Sequence, residues 1–357
     1  MKKVCFLCPF NLNRLTGTPI RAKTVIRTAM TFTDVSVVTT REYSEATNVS
    51  KLDKATALPY TRLAFAHLRK NAPDIVHCIT PLGLLAALPY ALFRFGKTKV
   101  VFEVHGLTWF ELKGTNLFRR VAFGLIDFFG LLFAHHIIAM SYSQTTFYKS
   151  FVSPQRLSVV WGPVDFDVAY SARIPQEKCI VGYLGNHAWW QGLPALIESA
   201  RILSDRTDIH FNIGGFDASD DAQFPKLPNI TYAGRVEHSN VVAFLRDCDV
   251  LASVRIKDTV SETQYPQKLS AYLASGRPVV ASDVSDQRRI IESANCGIVI
   301  DERATPERIA TALRTIASLP PDTRAEWGQR AFSFAQNNFF PEVFKKKMES
   351  VYTELYA

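Results

Sequence analysis

Short runs of apolar and β-branched residues recur along the whole chain and are separated by helix-length segments of mixed polarity. Runs that are apolar at nearly every position are typical of strands buried on both faces of a parallel sheet. Six such runs fall in the first half: KKVCFLC, DVSVVTT, DIVHCIT, TKVVFEVH, HHIIAMS and LSVVWGPV. Six more fall in the second half: KCIVGYLG, DIHFNIGG, NITYAGRV, CDVLASV, RPVVASDV and CGIVI.

This alternation predicts an α/β protein with two doubly wound parallel sheets. A chain of 357 residues is also too long for one ordinary core. The segment DFDVAYSARIPQEK, residues 165–178, is the expected domain boundary because it is polar and contains Pro175. We therefore predict a first domain over residues 1–168, a second over 169–338 and a C-terminal helix over 339–357.

Ligands of doubly wound sheets bind beyond the carboxyl ends of the strands. With two such domains, the expected site is a cleft in which these ends face each other. The residues that directly follow each predicted strand are therefore the candidates for binding and catalysis.

Two strand ends in the first half carry candidate residues. Gly17 and Thr18 follow the first strand, where a flexible backbone can approach a ligand closely and Arg21 can pair with a phosphate. The loop has no GxGxxG pattern, so dehydrogenase-type dinucleotide binding is not indicated, and an ordinary strand-to-helix turn is the alternative. His105 leaves the fourth strand, where an imidazole can donate to a substrate or serve in acid–base chemistry; a structural histidine is the alternative.

Small residues end the first three strands of the second half. Their glycines leave a floor for a flat ligand such as a nucleobase. The adjacent Trp189 and Trp190 are expected to pack between domains rather than to stack on a ligand, because aromatic side chains mainly bury area. The candidate binding residues of this region are Gly185, Asn186, Gln191, Gly214, Gly215, Gly234 and Arg235.

The stretch SETQYPQKLSAYLASGRPVV, residues 261–280, predicts a helix that begins near Pro266 and ends at Gly276, followed by a strand. Lys268 falls in the first turn, where the helix dipole disfavours a cation. A diphosphate at the helix N-terminus would reverse that preference, because the unpaired N–H groups and the ammonium both attract it. The alternative is a lysine whose amine reaches solvent at small cost.

The two halves of the chain differ in charge. Residues 1–178 carry 22 basic and 11 acidic side chains, a net +11, whereas residues 179–357 have a net charge of −3. This difference suggests that the halves meet different partners. No segment approaches the roughly 20 apolar residues of a membrane-spanning helix. The N-terminal apolar run is interrupted by Pro9 and Asn11, which favours a core strand over a signal peptide.

The six cysteines are scattered in or beside predicted strands. Cys5 and Cys8 form a CxxC spacing, but no second pair completes a metal site. We therefore expect reduced core cysteines in a cytosolic protein.

In their order and spacing, these motifs resemble the family 4 glycosyltransferases, retaining enzymes of the GT-B architecture with two Rossmann-like domains facing across a cleft. The resemblance covers most of the chain. It rests on GTPIR, VFEVHG, IIAMS followed by SVVWGPVD, VGYLGN…WWQG…LIESA, and CDVLASV…YPQKLSAYLASGRPVVAS. The C-terminal FFPEVFKKKMESVYTELYA is similar to the helix that crosses back to the first domain in this architecture.

The resemblance implies transfer of a sugar from a nucleotide-sugar donor, with retention at the anomeric carbon and without a metal or another cofactor. The second domain would hold the nucleotide and the first domain the acceptor. The loop at Gly17 would approach the donor diphosphate, and His105 would contact the donor sugar. The diphosphate would be bound, and its departing charge stabilised, by the turn of Pro266, Gln267, Lys268 and Leu269.

The chain departs from the family pattern at two positions. Family members commonly carry two glutamates around this turn, but Ala271 stands at the second position. Thr263 stands at the first, with Glu262 adjacent as the catalytic candidate. The lysine of a KG pair that often opens the second domain's first helix is Gln191 here. The ribose contact and one phosphate-binding cation are therefore in doubt, and the chain resembles a divergent subgroup.

These features predict a retaining, hexosyltransferase-like enzyme that acts on a glycan or lipid-linked acceptor in cell-surface polysaccharide or glycolipid synthesis. The basic first half is compatible with a cytoplasmic protein in peripheral contact with an anionic inner membrane. The alternative is a degenerate, non-catalytic member that binds a nucleotide-sugar or a partner protein. A nucleotide-sugar epimerase fits less well because no acid–base carboxylate set is evident, and the dispersed basic residues argue against nucleic-acid binding.

Overall fold

The computed structural model describes residues 1–14, 17–52, 56–166, 168–217, 224–301 and 303–356. Two features of interest fall partly outside these ranges. They are the loop before Gly17, at residues 15 and 16, and the expected domain boundary, at residue 167.

The first half of the chain forms a parallel sheet of seven described strands. In chain order they are β1 (Lys3–Leu7), β2 (Asp34–Thr39), β3 (Asn48–Lys51), β4 (Ile75–Ile79), β5 (Lys99–Val104), β6 (His136–Ala139) and β7 (Leu157–Val159). Their order across the sheet is β3-β2-β1-β4-β5-β6-β7. The α-helices of this half are α1 (Gly17–Met30), α2 (Ala57–Asn71), α3 (Leu84–Phe93), α4 (Thr108–Glu111), α5 (Leu117–Phe133) and α6 (Tyr142–Thr145).

The extra strand β3 corrects the expectation of six strands in this sheet. Its sequence, NVSK, has no apolar run, and none of its residues is fully buried. It pairs only with β2, at the edge of the sheet. An edge strand with one neighbour needs no continuous apolar face, so the pattern that identified the other strands does not mark it.

The second half forms the predicted parallel sheet of six strands within the described residues. They are β8 (Cys179–Leu184), β9 (Ile209–Gly214), β10 (Ile230–Gly234), β11 (Val250–Ser253), β12 (Val279–Ser282) and β13 (Gly297–Ile300), in the order β10-β9-β8-β11-β12-β13. The α-helices are α7 (Leu193–Ile202), α8 (Val241–Arg246), α9 (Thr259–Glu262), α10 (Lys268–Ala274), α11 (Gln287–Ala294), α12 (Pro306–Ala317), α13 (Pro321–Asn338) and α14 (Pro341–Glu354).

Both sheets therefore have the doubly wound order that the alternating pattern predicted. In each, the strand order reverses next to the first strand, between β1 and β4 and between β8 and β11. These reversals are the points at which doubly wound sheets bind ligands, beyond the carboxyl ends of the strands. The candidate residues after β1, β8 and β11 thus follow strands at these reversals, and those after β5 follow the strand next to β4.

The chain divides into two compact units. Unit 1 comprises Met1–Asp165, Thr263–Tyr265 and Pro341–Ala357, and unit 2 comprises Phe166–Glu262 and Pro266–Phe340. Helix α14 belongs to unit 1, where Phe344 and Met348 are buried in the same apolar core as residues of β1 and α1. The C-terminal segment is thus held to the first sheet by buried apolar area.

All six cysteines are free and buried, as expected for core residues. Among the described helices, none combines the length and the hydropathy needed to cross a membrane.

Candidate functional site

Helix α10 has the proline before its first turn and the glycine after its last turn that the sequence predicted. The main-chain N–H of Leu269 donates to the Pro266 carbonyl at 2.8 Å, and Lys268 is the first residue of the helix. The helix ends before Gly276, whose φ of 72° lies in the left-handed region that glycine adopts readily. Strand β12 follows the helix, so α10 belongs to the connection between two neighbouring parallel strands, β11 and β12.

The amine of Lys268 is buried, and no residue in the described part of the chain forms a hydrogen bond with it. Its Nζ lies 4.1 Å from the centre of the Tyr183 ring, and a Cβ built on Gly185 would lie 3.6 Å from it. Burial, followed by the charge of Arg255, holds the pKa of Lys268 well below its usual range. The snorkelling alternative is wrong, because the ammonium does not reach solvent. A buried amine with no partner is costly unless an anion completes the site.

The glycines at the ends of β8, β9 and β10 come together as a floor beside this lysine. The Gly185 N–H donates to the Gly214 carbonyl at 3.0 Å, and the Gly215 N–H donates to the Gly234 carbonyl at 2.8 Å. A Cβ on Gly215 would lie 2.7 Å from the backbone of Gly185, so these strand ends approach too closely for a side chain. Asn186 completes the edge, where its carbonyl accepts from the Tyr183 hydroxyl at 2.7 Å.

The turn after β8 places Gln191 next to a tightly packed glycine. Gly192 has a φ of 72°, and a Cβ there would lie 1.8 Å from the Val254 carbonyl oxygen. The Gln191 Oε1 atom is buried without a hydrogen-bond partner. Trp189 and Trp190 contact each other edge to face, at 5.6 Å between ring centres, and Trp189 is exposed.

Arg235 stands apart from the floor. Its guanidinium is more than half exposed and, among the residues that the structure describes, forms long ion pairs with Asp217 and Glu237, at 3.8 and 3.9 Å. A side chain held so loosely is free to reorient toward a ligand.

Arg255 is a candidate that the strand-end search missed. It follows β11 and is buried, and burial lowers the pKa of its guanidinium to about 10. Its Nη1 donates to the Ser261 carbonyl at 3.3 Å, and the neighbouring charge of Glu262 favours its ionised form. The signal was present in CDVLASVR, where an arginine directly follows a buried strand.

Glu262 is half-buried at the end of α9. Its Oε2 accepts from the Ser285 N–H at 2.9 Å. Burial raises the pKa of this carboxyl, while Lys257 and Arg255 oppose the shift. Glu262, Arg255 and Lys268 therefore form a group of interacting charges within unit 2.

A buried carboxylate organises the candidates of unit 1. Glu103, in β5, lies 2.8 Å from Arg21 Nε, 2.8 Å from His105 Nε2 and 3.2 Å from His77 Nε2. Burial alone would raise the pKa of Glu103, but Arg21 and both histidines hold it well below its usual range. His77 in turn hydrogen-bonds the Tyr352 hydroxyl of α14 through Nδ1, at 2.7 Å.

This network fixes the imidazole of His105. An ionised carboxylate only accepts, so His105 donates to Glu103 through Nε2. Its Nδ1 lies 3.3 Å from Thr18 Oγ1, which can donate to it. Gly17 begins α1 beside this pair, and a Cβ there would meet nothing within 4 Å. Thr18, Arg21 and His105 are thus brought together, with Gly17 at an open edge.

Arg21 is placed differently from a surface phosphate ligand. It is fully buried, and its guanidinium also donates to the Trp161 carbonyl at 2.8 Å. Its Nη2 has no hydrogen-bond partner. Glu103 accepts from Nε and the Trp161 carbonyl from Nη1, and phosphate contact by Arg21 stays a prediction.

The arrangement in unit 2 suits a diphosphate. The buried amine of Lys268 lies beside the glycine floor, and the buried guanidinium of Arg255 follows the neighbouring strand β11. Cations and backbone N–H groups of this kind bind phosphate oxygens through charge-assisted hydrogen bonds. Across the described ranges, no three His, Cys, Asp or Glu side chains converge as metal ligands.

Two family models match the sequence of this chain. Residues 31–168 match the family model described as Glycosyltransferase Family 4, and residues 178–318 match the model described as Glycosyl transferases group 1. No curated protein matches the sequence.

Several solved structures are similar over nearly the whole chain. Sucrose-phosphate synthase from Thermosynechococcus elongatus has a TM-score of 0.81 and 12% identity, with 100% of this chain and 99% of that chain covered. HepE from Anabaena, solved with UDP-glucose, has a TM-score of 0.76 and 14% identity, with coverage of 99% and 100%. WaaG, a glycosyltransferase involved in lipopolysaccharide biosynthesis, has a TM-score of 0.71 and 15% identity, with coverage of 98% and 99%. At such identities the likeness shows the fold, which is GT-B.

Proposed function

Since this chain is a glycosyltransferase of the GT-B type, with a family 4 domain followed by a group 1 domain, we propose that it transfers a sugar from a nucleotide-sugar to a glycan or lipid-linked acceptor with retention at the anomeric carbon. The product belongs to cell-surface polysaccharide or glycolipid synthesis. The observation that carries the proposal is the buried, unpartnered amine of Lys268 beside the glycine floor.

Lys268 and Arg255 are the residues proposed to bind the donor diphosphate. Both belong to unit 2, and burial lowers the pKa of each; the charge of Arg255 lowers the pKa of Lys268 further. A bound diphosphate supplies the missing negative charge. Its negative charge increases as the bond to the sugar breaks, so the two cations stabilise it more strongly as it leaves. Stabilisation of developing charge by preorganised donors is usually the largest catalytic contribution. Because two cations already neutralise the leaving group, the proposed reaction is metal-independent.

The sugar is the proposed ligand of the Glu103 network in unit 1. His105 is held with Nε2–H toward Glu103, which fixes the imidazole plane and leaves Nδ1 and Thr18 to bond a sugar hydroxyl. Gly17 leaves open space beside them. In a retaining transfer, the acceptor hydroxyl forms the new bond on the face that the diphosphate leaves, and its proton passes to the departing phosphate oxygen.

The half-buried Glu262 is the remaining catalytic candidate. Its carboxylate is anchored by the Ser285 N–H and interacts with Arg255. We propose that it orients the arginine and the sugar hydroxyls rather than serving as a base, because its position is set by a backbone bond.

The similar structures support this assignment of ligands. HepE was solved with UDP-glucose, and WaaG is described as acting in lipopolysaccharide biosynthesis. A nucleotide-sugar donor and a surface glycolipid acceptor therefore agree with the fold and with the basic first half of this chain. The same charge supports peripheral attachment to an anionic membrane from the cytoplasmic side.

The test is a thermal-shift panel of UDP-, GDP-, CMP- and dTDP-sugars, because a ligand that binds only the folded state raises its melting temperature. The donor so identified is then supplied with lipid extracts, and the anomeric configuration of the product is determined by NMR. The proposal requires one nucleotide class to stabilise the protein and an α-donor to give an α-product. An inverted product would overturn the retaining mechanism.

Ala271 and Gln191 support a second candidate, a non-catalytic protein that binds a nucleotide-sugar or a partner enzyme. They replace a carboxylate and a cation of the pattern that this chain resembles. Donor hydrolysis or transfer above background excludes this candidate, whereas donor binding without turnover under every acceptor condition supports it.

A further inference from the structure

The C-terminal helix α14 contacts two of the three side chains that surround Glu103. The centre of the Phe344 ring lies 5.2 Å from Arg21 Cζ, and the Tyr352 hydroxyl lies 2.7 Å from His77 Nδ1. All five residues belong to unit 1, and each is at least 95% buried. Because His77 and Tyr352 are 275 positions apart in the sequence, only the fold reveals this polar contact.

The surroundings of His77 decide which of its ring nitrogens carries the proton. Burial lowers the pKa of His77, so its imidazole is neutral at pH 7 and holds a single N–H. The ionised Glu103 can only accept, and its Oε2 lies 3.2 Å from His77 Nε2. A lone pair on Nε2 would face this carboxylate at close range, so the proton belongs on Nε2. The Tyr352 hydroxyl then donates to Nδ1.

The two oxygens of Glu103 have different partners. Oε1 lies 2.8 Å from both Arg21 Nε and His105 Nε2. Oε2 faces His77 at an angle that falls short of a hydrogen bond, and among the described residues it has no hydrogen-bond partner. A carboxylate is planar, so its two oxygens turn together. The electrostatic attraction of Oε2 to the His77 N–H therefore also restrains the oxygen that accepts from His105.

Two contacts hold the His77 ring itself. Phe6 stacks on the imidazole, with 4.9 Å between ring centres and 27° between the planes. Stacking fixes the plane of the ring but leaves it free to turn within that plane. The bond from Tyr352 removes this freedom, because it requires the Nδ1 edge to face α14 and so turns Nε2 toward Glu103.

We propose that Tyr352 and His77 are positioning residues for His105. Tyr352 sets the tautomer and the orientation of His77, and His77 restrains the Glu103 carboxylate. That carboxylate accepts from Nε2–H of His105, which leaves Nδ1 as an acceptor. A sugar hydroxyl that bonds His105 therefore donates its proton into that bond. The inference rests on the proposed role of His105 toward the donor sugar, and it assigns a part in that role to the C-terminal helix.

The first test measures histidine tautomers by long-range proton–nitrogen correlation NMR on the full chain with ¹⁵N-labelled histidine and no donor. Single His77→Gln and His105→Gln substitutions assign the two rings. In the wild type, both rings are expected to carry the proton on Nε2. Tyr352→Phe removes the donor to His77 Nδ1, so the Nδ1 resonance of His77 should shift and His105 should populate both tautomers.

Tyr356→Phe is the matched control. It makes the same change in the same C-terminal segment, and it keeps the ring that lies 3.7 Å from the Lys2 amine. Among the described residues, none bonds the Tyr356 hydroxyl. This variant should leave the tautomers of both histidines unchanged.

The second test is kinetic and uses the donor found in the thermal-shift panel. Tyr352→Phe should lower kcat by roughly 2- to 30-fold, the range of couplings carried by a packed network. It should leave KM for the donor nearly unchanged, because an interaction that strengthens in the transition state affects kcat. In a His105→Gln background the same substitution should have no further effect, since it acts through that ring.

Substitutions of His77 separate its polar role from its packing. His77→Gln keeps a donor for Glu103, whereas His77→Phe keeps only the stacking on Phe6. His77→Gln should therefore retain more of kcat. Melting temperatures and near-UV circular dichroism report the fold of every variant, and His77→Phe decides the question by the same two tests if Tyr352→Phe does not fold.

The inference is overturned if Tyr352→Phe leaves the His105 tautomer as it is in the wild type, or if the losses in Tyr352→Phe and His105→Gln are additive. The NMR measurement needs no donor, so it also separates the two proposals. A shifted tautomer in a protein that transfers no sugar contradicts the proposed function and upholds the positioning of His105. Transfer by the wild type, with an unaltered tautomer in Tyr352→Phe, contradicts the positioning alone.

Discussion

Lys268 Nζ lies 4.1 Å over the centre of the Tyr183 ring and has no hydrogen-bond partner among the described residues, although the amine is buried. The face of an aromatic ring attracts a cation, but that attraction is about 0.5–2 kcal/mol and does not offset the removal of an ammonium from water. The ring therefore holds the lysine in place without satisfying its charge. An anion that binds beside the amine would remove this desolvation cost, and its binding is therefore favoured. For this reason we assign the diphosphate to this site.

The first prediction is that Lys268→Met stabilises the protein without ligand and weakens nucleoside diphosphate binding. Methionine removes the cost of a buried, unpartnered amine while keeping its apolar stem. The loss of a charge-assisted bond should cost about 1.5–3 kcal/mol of UDP affinity, or roughly 10- to 100-fold in Kd. Urea denaturation and isothermal titration calorimetry measure the two effects. Lys226→Met, at an exposed lysine of the same unit, is the control and should change neither.

The second prediction is that UDP binding takes up protons. Below its lowered folded-state pKa, Lys268 is charged in both states and destabilises the fold; this penalty disappears as the pH rises toward the unfolded value near 10.4. At a pH between the lowered folded-state pKa and the unfolded value, most of Lys268 is neutral, and a bound diphosphate restores its proton. Calorimetry in buffers of different ionisation enthalpy measures the uptake. Uptake that is unchanged in Lys268→Met would assign the proton to another group.

The third prediction is that Glu103→Gln destabilises unit 1 strongly. The substitution leaves Arg21 buried without a counter-charge, which costs about 3–5 kcal/mol when a buried pair is broken. The folded-state pKa of Glu103 is lowered, so its contribution is complete above the unfolded value near 4.3 and is lost as the pH falls through the folded pKa. The difference between wild type and variant should therefore be constant at neutral pH and shrink in acid, as measured by urea denaturation from pH 7 to 3.

Glu42 offers the matched control for that experiment. It pairs with Lys51 on the surface, where water and salt screen the interaction. Glu42→Gln should leave the denaturation midpoint unchanged at neutral pH. A similar loss in both variants would mean that the Glu103 network adds nothing specific.

The strands and the two ends of α10 were predictable because they depend on local, repeated sequence signals. Continuous apolar runs such as VVFEV mark buried parallel strands, and Pro266 and Gly276 mark the ends of a helix. Strand β3 lacked such a signal because an exposed edge strand is held by hydrogen bonds to its one neighbour rather than by burial of its side chains.

The candidate site was predictable only in part, because partners distant in sequence decide what a side chain can do. The position of Lys268 in a first turn was evident, but the absence of a partner for its amine was not. Arg21 was expected at an open phosphate site, and its ion pair with Glu103 spans residues 82 apart in sequence. Arg255 was overlooked because a single arginine after a strand becomes informative only when its burial is known.

The fourth prediction separates folding from ligand binding at two glycines. Gly17→Ala should leave the melting temperature unchanged, because its Cβ would meet nothing within 4 Å. If a donor phosphate approaches this backbone, the same methyl group raises KM for the donor. Gly192→Ala should instead cost at least about 1–3 kcal/mol of stability, since φ is positive and the Cβ would meet the Val254 carbonyl. Thermal melts and donor titrations distinguish the two; an unaltered KM in Gly17→Ala would remove that residue from the donor site.

The last prediction concerns the missing carboxylate. Ala271 lies half-buried in α10, three residues after Lys268, at the position where the resemblance places a ribose-binding glutamate. Ala271→Glu should restore a charged hydrogen bond to the ribose, worth about 1.5–3 kcal/mol, and so tighten UDP binding by roughly 10- to 100-fold. The gain should fall markedly for dUDP, which lacks the 2′-hydroxyl, and Ala271→Leu, which adds bulk without an acceptor, should show no gain. Equal gains for UDP and dUDP would mean that the new charge acts through Lys268 instead. No gain for either ligand would show that this subgroup holds the nucleotide in a pose that the glutamate does not reach.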